Sequence, residues 1–159
     1  MSDLKIAIRD MRDGEEPLLW QLFHTTIHTV NAADYSPAQI QAWSPADRDP
    51  IAWRARMQSV KPFVAVIDDE IVGFSDVQDD GLVDFMFVAH DRQGRGIAAA
   101  LMQEVERRAR LLGLESLYAH VSATAKPFFS RRGFAVENEQ RVVINDVELT
   151  NYLMRREQI

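Results

Sequence analysis

The sequence predicts an α/β sandwich in which helices cover a mixed β-sheet. Apolar residues follow helical spacing up to about residue 59 and strand alternation from Phe63 onward. A long amphipathic pattern over residues 95–112, followed by Gly113, then separates two apolar strands. This order is typical of a β-α-β crossover, which makes the two strands parallel neighbours. The chain ends in a predicted hairpin.

Composition limits the classes of protein to which this chain can belong. Its 159 residues predict a single domain over residues 1–159, and 47% apolar with 26% charged residues are typical of a globular protein. No apolar run approaches the roughly 18 residues that a membrane span requires. Residues 1–5 begin no signal-peptide pattern. We therefore expect a cytoplasmic protein with no membrane partner.

Cysteine and charge content exclude further classes. The chain has no cysteine, so it has no disulfide, no thiolate metal site and no acyl-cysteine intermediate. Its net charge of −6 argues against non-specific binding to nucleic acid, which needs a basic surface. His24 and His28 have i, i+4 spacing but no third ligand beside them, so we predict no metal site.

Helix-start signals organise the first sixty residues. A strand is predicted over residues 4–8, and a helix then begins with Asp13 as N-cap and continues to about residue 27. A second helix begins at Ser36, followed by Pro37 and by Gln39 as the partner of a capping box, and ends before Pro45. A third is predicted from Asp49 to about residue 59.

The remainder of the chain is predicted to be mainly strands. Tight turns at residues 68–70 and 145–146 indicate two hairpins. The predicted strands cover residues 63–67, 71–77, 82–88, 117–121, 134–144 and 147–154, and the predicted helices cover residues 95–112 and 123–132.

The turn between the strand at residues 82–88 and the long helix has the composition of an anion site. Gly94 and Gly96 allow main-chain N–H groups to approach a ligand closely, and the start of the helix adds its positive dipole end. Arg92 and Arg95 add cationic side chains. We predict that this turn binds a pyrophosphate.

The same residues carry a resemblance to a known family. Gln93 to Ala98 resembles the Q/R-x-x-G-x-G/A motif of the GNAT (GCN5-related N-acetyltransferase) superfamily. Met86 to Val88 resembles the strand end that precedes this motif, and Lys126 to Phe134 resembles the F-Y-x-x-x-G-F helix end that follows it. The resemblance covers about residues 61–155. It implies a mostly antiparallel central sheet flanked by helices, with a β-α-β core that binds acetyl-coenzyme A.

Family geometry then implies how the coenzyme is held. Its pantetheine arm would pair with the backbone of the strand before the loop, where a main-chain N–H forms an oxyanion hole for the thioester oxygen. The residues implied to bind the coenzyme are Met86, Phe87, Val88, Arg92, Gln93, Gly94, Arg95, Gly96, Ile97, Ala98, Ala99, Lys126, Phe128 and Phe129.

Two other interpretations of the glycine pattern are weaker. Gly94-x-Gly96-x-x-Ala99 also fits a dinucleotide fingerprint, with Glu115 at a suitable distance. However, residues 89–93 separate the strand from Gly94, and too few βα units follow for a Rossmann fold. A purely structural turn is the other alternative, and the second motif argues against it.

Three residues are hypothetical catalytic groups. Asp84 lies in an apolar strand, where we expect burial to raise its pKa and suit it as the base that deprotonates the amine. His120 is a fallback acid or base, although a structural histidine is the commoner outcome. Ser122 stands where the family often has an asparagine; it either contacts pantetheine or caps the helix that follows.

Phe129 departs from the family pattern. Many members have a tyrosine at this position, whose hydroxyl protonates the departing thiolate, and phenylalanine has none. The proton must then come from another group or from water. The resemblance nevertheless predicts an N-acetyltransferase that works by direct attack of a primary amine in a ternary complex. Phe129 is the feature that favours the alternative, a non-catalytic coenzyme A-binding or sensor module.

The acceptor is expected to be an amine, with a small molecule slightly favoured over a peptide. In the family the first two helices wall the acceptor pocket, and members often dimerise, so the resemblance allows a homodimer. The implied acceptor contacts are His28, Asn31, Tyr35, Trp43 and Trp53, each with core packing or plain solvent exposure as the alternative.

Overall fold

The computed structural model describes residues 5–159. Its strands are β1 (Ala7–Asp10), β2 (Phe63–Ile67), β3 (Glu70–Ser75), β4 (Met86–Val88), β5 (Leu117–Ser122), β6 (Ala135–Ile144) and β7 (Val147–Arg156). Its helices are α1 (Glu16–Thr29), α2 (Pro37–Trp43), α3 (Pro50–Val60), α4 (Ile97–Leu111) and α5 (Lys126–Arg131). Short 3-10 turns cover Asn31–Ala33 and His90–Arg92. The predicted mixed α/β class is confirmed.

The strands form two antiparallel sheets that diverge from one short junction. The first has the order β1-β2-β3-β4 and the second has the order β5-β7-β6. They join at a parallel bridge between Leu82 and Tyr118, where the N–H of Val83 donates to the carbonyl of Tyr118 at 2.9 Å. The predicted parallel neighbours therefore meet only at this bridge. Beyond it β4 and β5 separate, and the gap becomes the site described below.

β4 is shorter than predicted because a side chain replaces its strand partner. The buried carboxylate of Asp76 accepts the main-chain N–H of Phe85 at 2.6 Å and that of Asp84 at 3.1 Å. The Ser75 hydroxyl donates to the Phe85 carbonyl at 2.6 Å. Regular pairing with β3 resumes at Met86. The predicted strand over residues 82–88 is thus wrong over its first four residues.

Two of the three predicted helix starts in the first half are confirmed. Ser36 and Gln39 form both bonds of a capping box, and Asp49 accepts the N–H of Ile51 at 2.9 Å. Asp13 as a cap is wrong: Glu15 occupies the N-cap position of α1, and the side chain of Glu16 accepts the N–H of Gly14. The first strand begins at Ala7, and residue 4 of its predicted range lies outside the described residues.

The core lies on both faces of the first sheet. One cluster packs α4 against the sheet through residues such as Leu101 and Val105. The other packs α1 and α3 against the opposite face through Leu19, Ile27 and Met57. Both faces of β2 and β3 are therefore buried, which explains their nearly continuous apolar sequence. Within residues 5–159 no helix is long and apolar enough to cross a membrane.

Candidate active site

Two cavities meet in the gap between the sheets. The loop cavity, of about 670 Å³, lies beside residues 92–99 and the start of α5. The aromatic cavity, of about 500 Å³, lies between α1, α3 and the second sheet and is lined largely by aromatic rings. Residues lining both cavities are Met86, Phe87, Ser122 and Ala125. A long ligand in the loop cavity would therefore present its end to a second molecule in the aromatic cavity.

The floor of the loop cavity is the N-terminus of α4. Gly96 is its N-cap with a φ of +80°, and no side chain caps the helix. The first helical bond runs from the N–H of Ala100 to the carbonyl of Gly96 at 3.0 Å. The N–H groups of Ile97, Ala98 and Ala99 precede that bond and have no partner within the helix. All three residues line the cavity, which suits an anion such as a pyrophosphate.

The polar side chains of the predicted loop motif, Arg92, Gln93 and Arg95, have different partners. Gln93 donates to the carbonyl of Val88 at 2.8 Å and so holds the loop against β4. Arg92 lines the cavity but forms an ion pair with Glu70 at 2.8 Å. Arg95 is exposed and lines neither cavity. The anion site is thus mainly main chain, with less side-chain charge from the motif than the sequence indicated.

Further coenzyme-site residues escaped the sequence reasoning. Arg131 and Arg132, at the end of α5, line the loop cavity and add cationic groups. The Thr124 hydroxyl also lines it and is buried without a hydrogen-bond partner in the described part of the chain. The paired arginines before Gly133 were the available signal. Of the predicted contacts beyond the motif, Phe128 lines this cavity.

Two predicted coenzyme contacts lie elsewhere. The ammonium of Lys126 sits 4.2 Å from the centre of the Tyr152 ring, and the residue lines neither cavity. Phe129 is buried against Phe134, with ring centres 5.0 Å apart, and lines the aromatic cavity. These positions do not support direct contact with a ligand in the loop cavity.

The open edge of β4 supplies the main-chain groups expected of an oxyanion hole. The N–H of Ala89 donates to the carbonyl of Val72, and Phe87 is paired with Phe74. In an antiparallel ladder alternate residues bond to the same neighbour, so the N–H groups of Met86 and Val88 face away from β3. The direction they face is the gap where both cavities meet. Coenzyme contact through Met86 and Val88 stays a prediction, and the N–H of Phe87 is on the side of β3.

The predicted acceptor contacts divide between the two cavities. Tyr35 and Trp43 line the aromatic cavity, with ring centres 5.5 Å apart. Trp53 also lines it but is mostly core, since it is 7% exposed and its indole N–H donates to the carbonyl of Glu16. Asn31 instead lines the loop cavity. His28 lines neither, because its ring nitrogen is hydrogen-bonded to the carbonyl of Ser44 at 2.7 Å.

Tyr35 is fixed by two hydrogen bonds across the gap. Its hydroxyl donates to the carbonyl of Thr150 at 2.7 Å and accepts the N–H of Ala123 at 2.9 Å. Burial raises the pKa of the Tyr35 hydroxyl above its ordinary value. Tyr35 thus joins the loop before α2 to both β7 and the end of β5. It braces the wall of the aromatic cavity.

Asp84 lines the aromatic cavity, but its surroundings are not those predicted. The residue is exposed and forms an ion pair with Arg56 at 3.3 Å. The expected apolar, desolvated environment is therefore wrong for Asp84. The carboxylate is nonetheless two residues from Met86, where the two cavities meet.

The buried carboxylate of this strand pair is Asp76, which sequence reasoning missed. It is 1% exposed, and burial raises its pKa from 3.8 to about 6, although hydrogen bonds from Gln78 and Phe85 oppose the rise. Asp76 lines neither cavity, so its role is to hold the backbone of Asp84 and Phe85 in place. A lone carboxylate within the apolar run at residues 71–77 was the available signal.

The other two hypothetical catalytic residues have structural partners. Ser122 lines both cavities, and its hydroxyl accepts the N–H of Ala125 at 3.1 Å. Because Ala125 is the N-cap of α5 and no side chain caps that helix, this bond closes the turn before α5, and the predicted cap of a helix from Ala123 is wrong. His120 is exposed, lines the aromatic cavity and is 3.0 Å from the side-chain amide of Gln140. Ser122 is better placed than His120 to contact a ligand that passes between the cavities.

Comparison with known proteins defines the class. The family model described as "Acetyltransferase (GNAT) domain" matches residues 31–156. The chain belongs to this family, and its assignment as an N-acetyltransferase dependent on acetyl-coenzyme A is thereby confirmed.

Three relatives illustrate the similarity. The uncharacterized N-acetyltransferase YafP of Escherichia coli K12 is 31% identical over 150 residues, covering 94% of this chain and 95% of that protein. The crystal structure of a GCN5-related N-acetyltransferase from Rhodopseudomonas palustris superposes with a TM-score of 0.93 at 27% identity, covering 99% and 98% of the two chains. PaiA N-acetyltransferase from Thermoplasma acidophilum, crystallised with coenzyme A, shares the fold with a TM-score of 0.76 at 17% identity, covering 97% and 99%.

Proposed function

We propose that this protein transfers the acetyl group of acetyl-coenzyme A to a primary amine by direct attack in a ternary complex. The observation that carries the proposal is the junction of the two cavities at Met86 and Phe87. A thioester laid along the open edge of β4 would meet an amine from the aromatic cavity there. With no cysteine in the chain, an acyl-cysteine intermediate is not available.

The proposed chemistry assigns a task to each group at the junction. The pyrophosphate is bound by the N–H groups at the start of α4, with Arg131 and Arg132 nearby. The N–H of Met86 or Val88 stabilises negative charge on the carbonyl oxygen as the amine nitrogen attacks. Asp84 accepts the proton of the amine.

The departing thiolate is proposed to take its proton from water. Phe129 has no hydroxyl, and the Tyr35 hydroxyl already donates to Thr150, with its pKa raised by burial. Phe129 is also the observation that favours the second candidate, a module that binds coenzyme A without turnover. A small-molecule acceptor is favoured because the aromatic cavity is bounded by both sheets and two helices.

The loop assignment is tested with Gly96→Asp. A carboxylate beside the pyrophosphate would be repelled by about 1–4 kcal/mol, so coenzyme A affinity measured by calorimetry should fall more than about tenfold. Gly96→Ala is the matched control, since it brings the same strain at positive φ without charge and meets no atom within 4 Å. Equal affinity of Gly96→Asp and Gly96→Ala would reject the loop as the pyrophosphate site.

Turnover separates the two candidate functions. Release of free thiol from acetyl-coenzyme A is measured with a panel of primary amines, and the acetylated amine is identified by mass. Thiol release that depends on the amine supports the transferase. Coenzyme A binding without release across the whole panel supports the binding module.

A further inference from the structure

The aromatic cavity contains an arginine that forms no ion pair within the described residues. Arg48 lines the cavity, and its guanidinium carbon lies 4.3 Å from the centre of the Trp20 ring. Within residues 5–159 it forms no ion pair, and its Nε is buried without a hydrogen-bond partner. By contrast, Arg56, the other arginine of the cavity, pairs with Asp84. Arg48 is thus the cavity cation still able to take an anionic partner.

The surroundings of Arg48 favour a negative group. Burial lowers the pKa of the Arg48 guanidinium, and the neighbouring Asp49 carboxylate opposes this shift without forming an ion pair. The pKa of His24 is also lowered, chiefly by burial and further by the positive charges of His28 and Arg48. The ring of His24 stacks on that of Trp20, with ring centres 5.3 Å apart. A carboxylate placed here would supply the charge and the acceptor atoms that the protein does not.

Aromatic rings separate this cation from the carboxylate at the other end of the cavity. The centres of Trp20 and Trp53 are 5.1 Å apart, and those of Trp53 and Phe85 are 6.0 Å apart, both in edge-to-face orientation. Phe85 is next to Asp84 in the chain. The cavity therefore has the Asp84–Arg56 ion pair beside Met86, aromatic rings along its wall and Arg48 without an ion pair at its other end.

We propose that the acceptor is a primary amine with an aromatic body and a carboxylate at the end opposite the amine, and that Arg48 binds this carboxylate. The inference rests on the proposed acetyl transfer and deepens it by naming the substrate class. The amine lies beside Asp84, the ring packs against the half-buried Trp20 and Phe87, and the carboxylate meets the guanidinium. An α-amino acid fits less well because its two charged groups are adjacent.

The test compares 3-[4-(aminomethyl)phenyl]propanoate with its neutral carboxamide in the thiol-release assay. Charge-assisted hydrogen bonds to Arg48 should give the carboxylate a kcat/KM about tenfold to a hundredfold higher than that of the amide. In Arg48→Met this ratio should fall to about one. Arg110→Met, an exposed arginine on α4 outside both cavities, is the matched control and should keep the wild-type ratio.

Binding without chemistry makes the inference independent of turnover. Calorimetry with 3-phenylpropanoate and 3-phenylpropanamide, neither of which can be acetylated, should show tighter binding of the carboxylate in the wild type and not in Arg48→Met. Equal binding of the two compounds, or a preference that survives Arg48→Met, would overturn the inference. Preferential carboxylate binding without thiol release from any amine would support Arg48 as the carboxylate site but reject both the transferase and the assignment of that ligand as an acceptor.

A third probe addresses the position of the carboxylate. Phenylalanine carries the same ring with its carboxylate beside the amine. We expect its kcat/KM to be at least about tenfold below that of 3-[4-(aminomethyl)phenyl]propanoate, because it cannot reach Arg48 and Asp84 together. A phenylalanine rate equal to or above that of the longer compound would overturn the separation of charges along the cavity.

Discussion

The stability of the fold should depend on pH through Asp76. This carboxylate is 1% exposed, and its pKa rises from 3.8 to about 6, chiefly because burial disfavours the charged form and also because Asp84 is close. At 1.36 kcal/mol per pKa unit, the charged folded form is disfavoured by about 3 kcal/mol relative to the unfolded chain. The native state therefore holds a proton between about pH 4 and pH 6 that the unfolded state has lost.

The sign of the effect follows from this difference in bound protons. Because the pKa of Asp76 is higher in the folded protein, its contribution to the free energy of unfolding is fully present below about pH 4. That contribution is lost as pH rises to about 6. Carboxylates with lowered pKa values, such as Glu15 and Glu104, contribute in the opposite direction. A comparison with Asp76→Asn isolates the term, since the amide does not titrate and its oxygen can still accept the N–H of Phe85.

Urea denaturation of the wild type and Asp76→Asn between pH 4 and pH 7.5 measures the pH-dependent contribution of Asp76 to stability directly. The free energy of unfolding of Asp76→Asn relative to the wild type should rise by up to about 3 kcal/mol from the low to the high end of this range. The amide turns a donor toward Gln78, whose side chain also donates to the carbonyl of Val60, and this adds a penalty that is constant with pH. A difference that does not change with pH would refute the assignment of a raised pKa to Asp76.

Two further predictions concern the acetyl-transfer junction. Asp84→Asn should lower kcat by a factor of about 10²–10⁴ and flatten the rate–pH profile with little change in coenzyme A affinity. Asp79→Asn, at an exposed position, is the control and should behave as the wild type. An unaltered rate–pH profile in Asp84→Asn would remove Asp84 as the base. Gly73→Ala should lower the free energy of unfolding by about 1–3 kcal/mol and weaken coenzyme A binding. The reason is that the new Cβ would lie 2.8 Å from the carbonyl oxygen of Phe87 and 3.2 Å from the side chain of Ile97. Calorimetry against Gly14→Ala, where the Cβ meets nothing within 4 Å, separates this clash from a general loss of stability, and equal coenzyme affinity in the two variants would contradict it.

The elements that could be predicted from sequence are those whose cause is local. The capping box at Ser36 and the cap at Asp49 depend on residues two or three positions apart. The amphipathic stripe of α4 and the positive-φ glycine before it are likewise properties of neighbouring residues. The anion-binding turn was recognisable for the same reason, since its donors are the main chain at the start of one helix.

Long-range contacts explain where the prediction failed. Asp84 was expected to be buried because its neighbours in the chain are apolar. However, β4 begins only at Met86, because the carboxylate of Asp76, just after β3, accepts the N–H groups of Asp84 and Phe85. His28 was expected to face an acceptor, but the end of α2 packs against α1, and the carbonyl of Ser44 is hydrogen-bonded to the ring nitrogen of His28. Neither partner is fixed by the pattern of the segment itself.

The sequence by itself determined the family, the glycine turn before α4 and the enzyme class, because these depend on short motifs whose spacing specifies backbone geometry. Only the tertiary structure decided that β4 and β5 separate after a single bridge and that two cavities open in the gap. It also decided that the carboxylate of Asp76 is buried against the backbone of Phe85 and that Arg48 forms no ion pair among the described residues. Burial and pairing arise from segments distant in the chain, and local periodicity does not encode which of them meet.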